Sequence, residues 1–190
     1  MFTGIVQALG TVVTTTATPS GRRCEFALGA LAGRHFNPGD SIAVNGACLT
    51  VVTLDADRFG ADISAETLRV TTLGSLQPGS PVNLEPAMTL SDPLGGHLVT
   101  GHVDGVGEVA ALEPVGESIA LRIAAPRALA RFMAVKGSVT VNGVSLTVNQ
   151  VRDTAAGCTI GINLIPHTLH NTALGSLQRG SRVNLEIDLI

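Results

Sequence analysis

The sequence lacks most of the residues on which several classes of protein depend. Its 190 residues include no tryptophan, no tyrosine and one lysine, and aromatic residues make up 3%. Proteins that bind nucleic acids combine basic patches with stacking aromatics, so we expect no nucleic-acid partner. No apolar run approaches the ~20 residues that a membrane-spanning helix requires, so we also expect no membrane partner.

Charge and cysteine are scarce as well. Charged residues make up 14% of the chain, against about 25% in typical globular domains. So few surface charges favour a surface that is covered by oligomerisation; a soluble monomer with a surface of Ser, Thr and Gln is the alternative. The three cysteines, Cys24, Cys48 and Cys158, are an odd number at wide spacing, which indicates a reducing compartment rather than a disulfide framework. No close Cys/His group predicts a metal site, and Met1–Ile5 lacks the layout of a signal peptide, so we expect a cytoplasmic protein.

The chain contains two copies of one pattern. Residues 73–85 recur as residues 174–186 with 11 of 13 positions identical, and residues 44–51 recur as residues 141–148 with 6 of 8 identical. The offset is 97 residues at the earlier pair and 101 at the later one, so the second copy carries about four extra residues near Arg152–Cys158. A duplicated fold predicts two similar pockets.

Glycine and proline divide each copy into short apolar or β-branched runs. Asn45-Gly46 and Asn142-Gly143 lie between such runs, which is a strong hairpin signal because both turn positions tolerate positive φ. Many short strands with Gly/Pro turns predict an all-β fold of two small antiparallel barrels in tandem, since closure removes exposed sheet edges. Helix is predicted only at Pro126–Ala134, Thr67–Leu73 and Thr168–Leu174.

The two copies meet in a linker that is rich in turn residues, Leu90–His97. Beyond it, Gly101–Gly107 aligns with Gly4–Gly10 at the offset of 97 residues. We therefore divide the chain into an N-terminal domain of residues 1–97 and a C-terminal domain of residues 98–190. The linker is too short to let the two halves move far apart.

Several of these motifs resemble the riboflavin synthases of the α-chain type, in the same order and spacing over the whole chain. They are Met1–Val6, Val44–Thr50, Glu66–Arg69, Gly95–Val103, Asn142–Thr147 and Val183–Asp188. The resemblance implies two six-stranded Greek-key barrels, each binding lumazine. It implies conversion of two molecules of 6,7-dimethyl-8-ribityllumazine into riboflavin and a ribitylaminopyrimidine, without added cofactor.

That reaction explains the duplication, because one lumazine donates a four-carbon unit and an identical lumazine accepts it. The resemblance also implies a homotrimer whose active site pairs the first barrel of one chain with the second barrel of a neighbour, and lumazine synthase as a partner in the pathway. Family members continue into a C-terminal helix that helps to assemble the trimer, whereas only Leu189 and Ile190 follow the last strand here. We therefore expect that helix to be absent, which leaves the trimer as the weakest implication.

Cys48 is the principal candidate for a catalytic group. It follows the Asn-Gly turn, and its counterpart in the second copy is Ser145. A thiol opposite a hydroxyl at matched positions is a difference that could assign the two roles, with Cys48 as a soft nucleophile toward the acceptor lumazine or as the group that positions an attacking water. The alternative is a small, buried, apolar cysteine.

Further catalytic candidates are His102, Ser41, Ser145 and Asp188, and Lys136 is a candidate ligand contact. His102 stands where the first copy has Ile5, and histidine suits proton transfer near neutral pH. The resemblance places Ser41, Asp188 and Lys136 near the ligand. Without it, His102 would be read as a turn histidine, Lys136 as a solvated surface lysine and Asp188 as a chain-end cap.

The groups expected around the ribityl chain and the pyrimidine edge form two sets, one in each copy. The first set comprises Gly4, Ile5, Val6, Cys48, Leu49, Thr50, Asp62, Ile63, Ser64, Ala65, Glu66 and Thr67. The second comprises Gly101, His102, Val103, Lys136, Ser145, Leu146, Thr147, Asn163, Leu164, Ile165, Pro166, His167 and Thr168. The carboxylates are expected to grip the polyol by charge-assisted hydrogen bonds. His167 stands where the family usually has Glu, so the polarity of the second pocket is expected to differ.

Two rival functions stay open at this point. A lumazine- or flavin-binding carrier of the same fold needs one good pocket, and its second copy should have decayed. The second copy instead keeps its motifs at residues 142–147 and 174–186, which favours two working pockets. A purely structural dimer of β-barrels explains neither the polar sets nor the matched motifs.

Overall fold

The computed structural model describes residues 1–190, which form two β-sheets of seven strand segments each. The first contains β1 (Ala8–Thr18), β2 (Gly21–Ala27), β3 (Ser41–Val44), β4 (Ala47–Thr50), β5 (Thr53–Leu54), β6 (Arg58–Ser64) and β7 (Pro81–Pro86). The second contains β8 (Gly105–Val115), β9 (Ser118–Pro126), β10 (Ser138–Val141), β11 (Val144–Thr147), β12 (Gln150–Thr154), β13 (Gly157–Leu164) and β14 (Arg182–Ile187). The helices are α1 (Ala65–Val70), α2 (Arg127–Ala130) and α3 (Pro166–Asn171). None of them is long and apolar enough to cross a membrane.

Both sheets have the same antiparallel Greek-key order. The first runs β4-β3-β7-β1-β2-β6-β5, and the second repeats it as β11-β10-β14-β8-β9-β13-β12. β4 and β5 lie at opposite edges although only Val51 and Val52 separate them, so they are the two halves of one bent strand that joins the edges. The prediction of two six-stranded barrels is confirmed when this bent strand is counted once.

The Asn-Gly hairpins form as predicted. Asn45 has φ of 47° and Gly46 has φ of 82°, which are the positive values that a two-residue turn between β3 and β4 requires. The four extra residues of the second copy lengthen the hairpin of β12 and β13, where ten residues separate the paired Gln150 and Gly161, against six between the paired Thr53 and Gly60.

The helix predictions were right in position and wrong in extent. α1 begins earlier than predicted because the Ser64 hydroxyl accepts a hydrogen bond from the Thr67 N–H and caps the helix. It ends at Val70 because Thr71 is extended. α2 keeps only four of the nine predicted residues, and the chain continues in turns to β10.

Each barrel has its own apolar core of 18 buried residues. A third, smaller cluster of Phe2, Ala43 and Val99 lies outside both cores, with Cys48 and Ala87 packed against it. Phe2 and Val99 also pair by a β-bridge, so the start of the chain is tied to the segment that follows the linker.

Four buried asparagines join the two barrels reciprocally. The Asn83 side-chain N–H donates to the Asn142 carbonyl at 2.8 Å, and the Asn184 side-chain N–H donates to the Asn45 carbonyl at the same distance. The Asn83 Oδ1 accepts from the Ala173 N–H, and the Asn184 Oδ1 accepts from the Thr72 N–H, both at 2.7 Å. All four asparagines are at most 6% exposed, so each of these bonds replaces water that the groups cannot reach.

The two hairpin turns touch at their glycines. A Cβ on Gly46 would lie 2.8 Å from the Gly143 nitrogen, and a Cβ on Gly143 would lie 2.7 Å from the Gly46 nitrogen. These neighbours are backbone atoms that cannot turn aside. Only glycine at both positions lets the barrels approach closely enough for the asparagine bonds to form.

We therefore expect Gly46→Ala to destabilise the protein far more than Gly79→Ala. Both glycines have positive φ, but nothing lies within 4 Å of a Cβ at Gly79. The control should lose about 1 kcal/mol from backbone strain alone, and Gly46→Ala should lose about 3 kcal/mol or more because the barrels must separate. Urea unfolding followed by far-UV circular dichroism measures both, and equal losses would contradict the contact.

Candidate functional site

The segment that begins each copy is fixed by a buried glutamate of its own barrel. Glu85 accepts from the Thr3 N–H at 2.6 Å, the Thr3 hydroxyl at 2.7 Å and the Gly4 N–H at 3.0 Å. Glu186 accepts in the same way from the Thr100 N–H and hydroxyl, both at 2.7 Å, and from the Gly101 N–H at 3.1 Å. Burial raises the pKa of both carboxyls, and the three hydrogen bonds on each oppose that shift.

These segments then cross to the other barrel. The Gly4 carbonyl accepts from the Ser145 N–H at 2.7 Å, and the Gly101 carbonyl accepts from the Cys48 N–H at 2.8 Å. Val6 packs against the second core, and Val103 packs against the first. The sequence order grouped Gly4–Val6 with Cys48 and Gly101–Val103 with Ser145; the structure exchanges them.

The exchange creates a cavity of about 120 Å³ beside the second barrel. It is lined by Gly4, Ile5 and Val6 of the first copy and by Val144, Ser145, His167, Thr168, Asn171 and Thr172 of the second. Ser145 and Thr168 are half-buried, whereas His167 is exposed at the rim. Backbone and hydroxyl groups therefore provide most of the polar lining, which suits an uncharged polar ligand.

The corresponding place beside the first barrel contains Cys48 and His102. Cys48 is half-buried, and a Cβ on Gly101 would lie 2.8 Å from the Cβ of Cys48, so the segment that begins the second copy is in contact with β4 there. The side chain of His102 is exposed, and the backbone N–H of His102 donates to the Thr100 hydroxyl at 3.2 Å. Cys48 packs against the cluster of Phe2, Ala43 and Val99, whereas the side chain of His102 is exposed to solvent.

Some predicted contacts can be made only through the backbone. The side chains of Leu49, Ile63 and Leu164 are at most 4% exposed and belong to the two cores. Leu146 is half-buried and packs on the second core. Ser64, Ala65, Ile165 and Pro166 surround the first turns of α1 and α3, where their backbone lies near the surface.

The two carboxylates expected to grip the ribityl chain already have partners. Asp62 forms a two-pronged ion pair with Arg23, with both N–O distances at 2.7 Å, and this hydrogen bonding lowers the pKa of Asp62. Glu66 is paired in the same manner with Arg69 at 2.6 and 2.9 Å, which lowers the pKa of Glu66. In α3, His167 replaces Glu66, and Asn171 donates to the His167 carbonyl at 2.8 Å.

Other predicted residues lie outside the lining of the cavity beside the second barrel. Ser41 is paired directly with Thr50 across β3 and β4, and Ser41 lines a cleft with Arg34 and Met88. Thr147 holds the matching place at the end of β11, opposite Ser138. Asn163 lines a separate cleft of about 280 Å³ on the outer face of β9, β12 and β13, which also contains Arg122 and Arg152.

Lys136 occupies a strained position. Its φ is 71°, in the left-handed region that favours glycine, and its counterpart at the offset of 97 residues is Gly39, with φ of 99°. The backbone N–H of Lys136 donates to the Val148 carbonyl, and that of Gly39 donates to the Val51 carbonyl, so the two turns are equivalent. The chain's single lysine therefore stands where the other copy uses glycine, which points to a use for its side chain.

One polar residue was missed by the sequence reasoning. His97 was assigned to the linker, yet its ring lies 2.8 Å from the Ser145 hydroxyl, measured from Nδ1 to Oγ. Asp188, which was predicted, is half-buried and close enough to act electrostatically on this ring. The matched Gly-His pairs at residues 96–97 and 101–102 offered no reason to prefer one histidine over the other.

Both barrels match a known protein family. The sequence model of the lumazine binding domain family matches residues 3–87 and again residues 100–188, one match for each barrel. This chain belongs to the lumazine-binding family. Riboflavin synthase of Mycobacterium tuberculosis is 46% identical over 195 residues, and the match covers 100% of this chain and 94% of that protein. Riboflavin synthase of Actinobacillus pleuropneumoniae is 41% identical over 194 residues, covering 100% and 86%.

Solved structures of LumP share the whole fold. LumP with riboflavin superposes with a TM-score of 0.88 at 28% identity, covering 98% of this chain and 99% of that one. LumP with 6,7-dimethyl-8-(1'-D-ribityl) lumazine gives 0.85 at the same identity and coverage. The tandem barrels of this lumazine-binding chain therefore have the arrangement found in proteins crystallised with lumazine and with a flavin.

Replacing Glu186 with Gln should change how stability depends on pH. A raised folded pKa means that the wild-type contribution of Glu186 is fully present below the ordinary pKa of 4.5 and is lost as the pH rises through the folded value. The wild-type protein should therefore be most stable relative to Glu186→Gln in acid and should lose that difference toward neutral pH. Urea titrations from pH 4 upward measure the difference, and a constant difference would contradict the burial argument.

Lys136→Gly should stabilise the fold. Removing a Cβ from a left-handed residue should raise the free energy of unfolding by about 1 kcal/mol. The reciprocal change Gly39→Lys is the matched control and should lower it by a similar amount. Urea unfolding measures both, and a loss of stability in Lys136→Gly would show that the lysine side chain stabilises the turn rather than straining it.

Proposed function

We propose that this protein is a riboflavin synthase. It converts two molecules of 6,7-dimethyl-8-ribityllumazine into riboflavin and 5-amino-6-ribitylamino-pyrimidinedione by transfer of a four-carbon unit. The observation that carries the proposal is the duplicated lumazine-binding fold with its exchanged segments, which offers two equivalent positions for two identical molecules. Similarity over the full chain to riboflavin synthases supports it.

In this reaction the main task of the protein is to orient the rings of the two lumazine molecules. Holding two reactants in near-attack geometry can lower a barrier by about 7–11 kcal/mol. The proposed ligand contacts are the two exchanged sets, with Gly101–Val103 joining Cys48 and Thr50, and Gly4–Val6 joining Ser145 and Thr147. Because Asp62 and Glu66 are engaged by arginines, we infer that backbone and hydroxyl groups bind most of the ribityl chain, and that each ion pair contributes a rigid rim.

Within this proposal Cys48 and His102 act at the first pocket. The half-buried thiol adds to the electron-poor ring of the acceptor lumazine or positions a water that does so. The exposed imidazole takes or relays the proton of the acidic methyl group. Lys136 and Asp188 act as contacts at the second pocket, and Ser41 supplies a hydroxyl at the start of β3.

We further propose a homotrimer in the cytoplasm, with lumazine synthase supplying the substrate. Several large apolar side chains are unusually exposed for a chain with so few charges, among them Phe132 at 46% and Val135 at 54%. Such surface is suited to burial between subunits. An active site shared by the first barrel of one chain and the second barrel of a neighbour would bring Cys48 of one chain to Ser145 of the next.

A carrier that binds lumazine or flavin without turnover is the second candidate, and the shared fold of LumP favours it. The decisive experiment is incubation with 6,7-dimethyl-8-ribityllumazine while riboflavin is followed by its absorbance. The synthase should form one riboflavin for every two lumazines. Binding without product would establish the carrier instead.

Cys48→Ala should lower the turnover rate about a hundredfold or more, as expected when a group that acts directly on the reacting atoms is lost. Cys24→Ala is the matched control, because that thiol is buried in the first core and should leave turnover unchanged. Sedimentation of both variants checks assembly. Full activity in Cys48→Ala would remove the thiol from the mechanism and leave the pocket with a positioning role only.

A further inference from the structure

His97 lies over Ser145 and is the only histidine in the chain that is buried. It is 8% exposed, and its Nδ1 is 2.8 Å from the Ser145 Oγ. Ser145 lines the cavity of the second pocket. A buried ring on a hydroxyl that faces a cavity can determine which way that hydroxyl points.

The chain around His97 is shaped for this contact. The backbone N–H of His97 donates to the Thr3 carbonyl at 3.1 Å. Gly96 has no room for a side chain, because a Cβ there would lie 2.1 Å from the Thr3 oxygen and 2.9 Å from the Ser145 Cβ. The linker therefore packs directly against Ser145. Any residue larger than glycine at position 96 would move the linker away and take the His97 imidazole out of reach of Ser145.

The other ring nitrogen shows the protonation state. His97 Nε2 is buried and has no hydrogen-bond partner. Burial lowers the pKa of His97, and the nearby Asp188 carboxylate opposes only part of that shift, so the ring is neutral near pH 7. Buried N–H groups without an acceptor are rarer than under-satisfied acceptors, so the single ring proton is assigned to Nδ1. The Ser145 oxygen then accepts from His97, and the Ser145 O–H is left to donate.

The first pocket has no such pair. Cys48 holds the place of Ser145, and its thiol makes no hydrogen bond in this structure. The second pocket therefore has an oriented O–H donor, the Ser145 hydroxyl, and the first pocket has none.

We propose that His97 is a positioning residue of the second pocket, which holds the Ser145 hydroxyl so that its proton points to an acceptor atom of the bound ligand. The acceptor is a ring carbonyl or ring nitrogen of the lumazine, or the equivalent atom of riboflavin. The inference rests on the proposed function only for the identity of that ligand. It explains how two otherwise similar pockets can hold identical molecules in different states.

Three substitutions at His97 separate positioning from packing. Asparagine places an amide nitrogen where Nδ1 lies and keeps a donor to Ser145, glutamine moves the amide toward the Nε2 position, and leucine fills the space without a hydrogen bond. We expect His97→Leu and His97→Gln to weaken ligand binding at the second pocket about tenfold, the effect of one lost hydrogen bond. His97→Asn should stay within about threefold of the wild type.

The same changes in a Ser145→Ala background test whether His97 acts through Ser145. There His97→Leu should have almost no further effect, since the hydroxyl that it positions is gone. Riboflavin serves as the binding probe, followed by the quenching of its fluorescence, and lumazine turnover is measured in parallel. Thermal unfolding by circular dichroism checks that each variant is folded.

The outcomes are distinct. Equal losses from His97→Leu with and without Ser145 would overturn the proposal and leave His97 as a packing residue of the linker. If His97→Leu does not fold, the comparison of His97→Asn with His97→Gln decides, and equal binding by these two would overturn it. A wild-type protein that binds riboflavin and forms none from lumazine would refute the synthase, while the binding arm would still test His97.

Discussion

The closeness of the two barrels depends on one contact between backbones. Gly46 and Gly143 touch where no Cβ can fit, and this approach brings the side chains of Asn83 and Asn184 within hydrogen-bond distance of the opposite turns. At any larger separation these two side-chain amides and the two turn carbonyls that they bond would lose their partners, at a cost of about 1–3 kcal/mol for each unsatisfied group. Geometry and polarity thus fix the same distance, and that distance allows each N-terminal segment to reach the neighbouring barrel.

The crossing of segments makes each pocket a joint product of both copies. Neither barrel alone contains the full lining, because Gly4 bonds to Ser145 and Gly101 bonds to Cys48. A change in one copy is therefore felt in the pocket of the other. Duplication supplied two like sites, and the few unmatched side chains, chiefly Cys48 against Ser145 and Lys136 against Gly39, are where the two sites can take different roles.

The sequence was sufficient for the fold because its signals are local. Repetition predicted two barrels, and the Asn-Gly pairs predicted their hairpins. The exchange of segments could not be predicted, because it depends on contacts between residues 53 and 141 positions apart, Cys48 with Gly101 and Gly4 with Ser145, whose strength no local pattern records. In the sequence, Asn83 and Asn184 are part of a repeated strand and His97 is part of the linker. No pattern there indicates the hydrogen bonds that their side chains form. Asp62 and Glu66 were expected to face a ligand, yet an arginine on the neighbouring strand or turn of helix reaches each carboxylate first.

The buried glutamates show why the fold accepts an unfavourable group at the same place twice. Burial alone would favour neutral side chains at Glu85 and Glu186, and the raised pKa of each records that preference. Each carboxylate, however, accepts three hydrogen bonds from a threonine and the glycine that follows it, and those N–H groups point inward with no other acceptor. A glutamine could accept with one oxygen only and would set an N–H against the glycine N–H. Two acceptor oxygens, and not one, are therefore needed to hold the crossing segments, and through them the lining of both pockets.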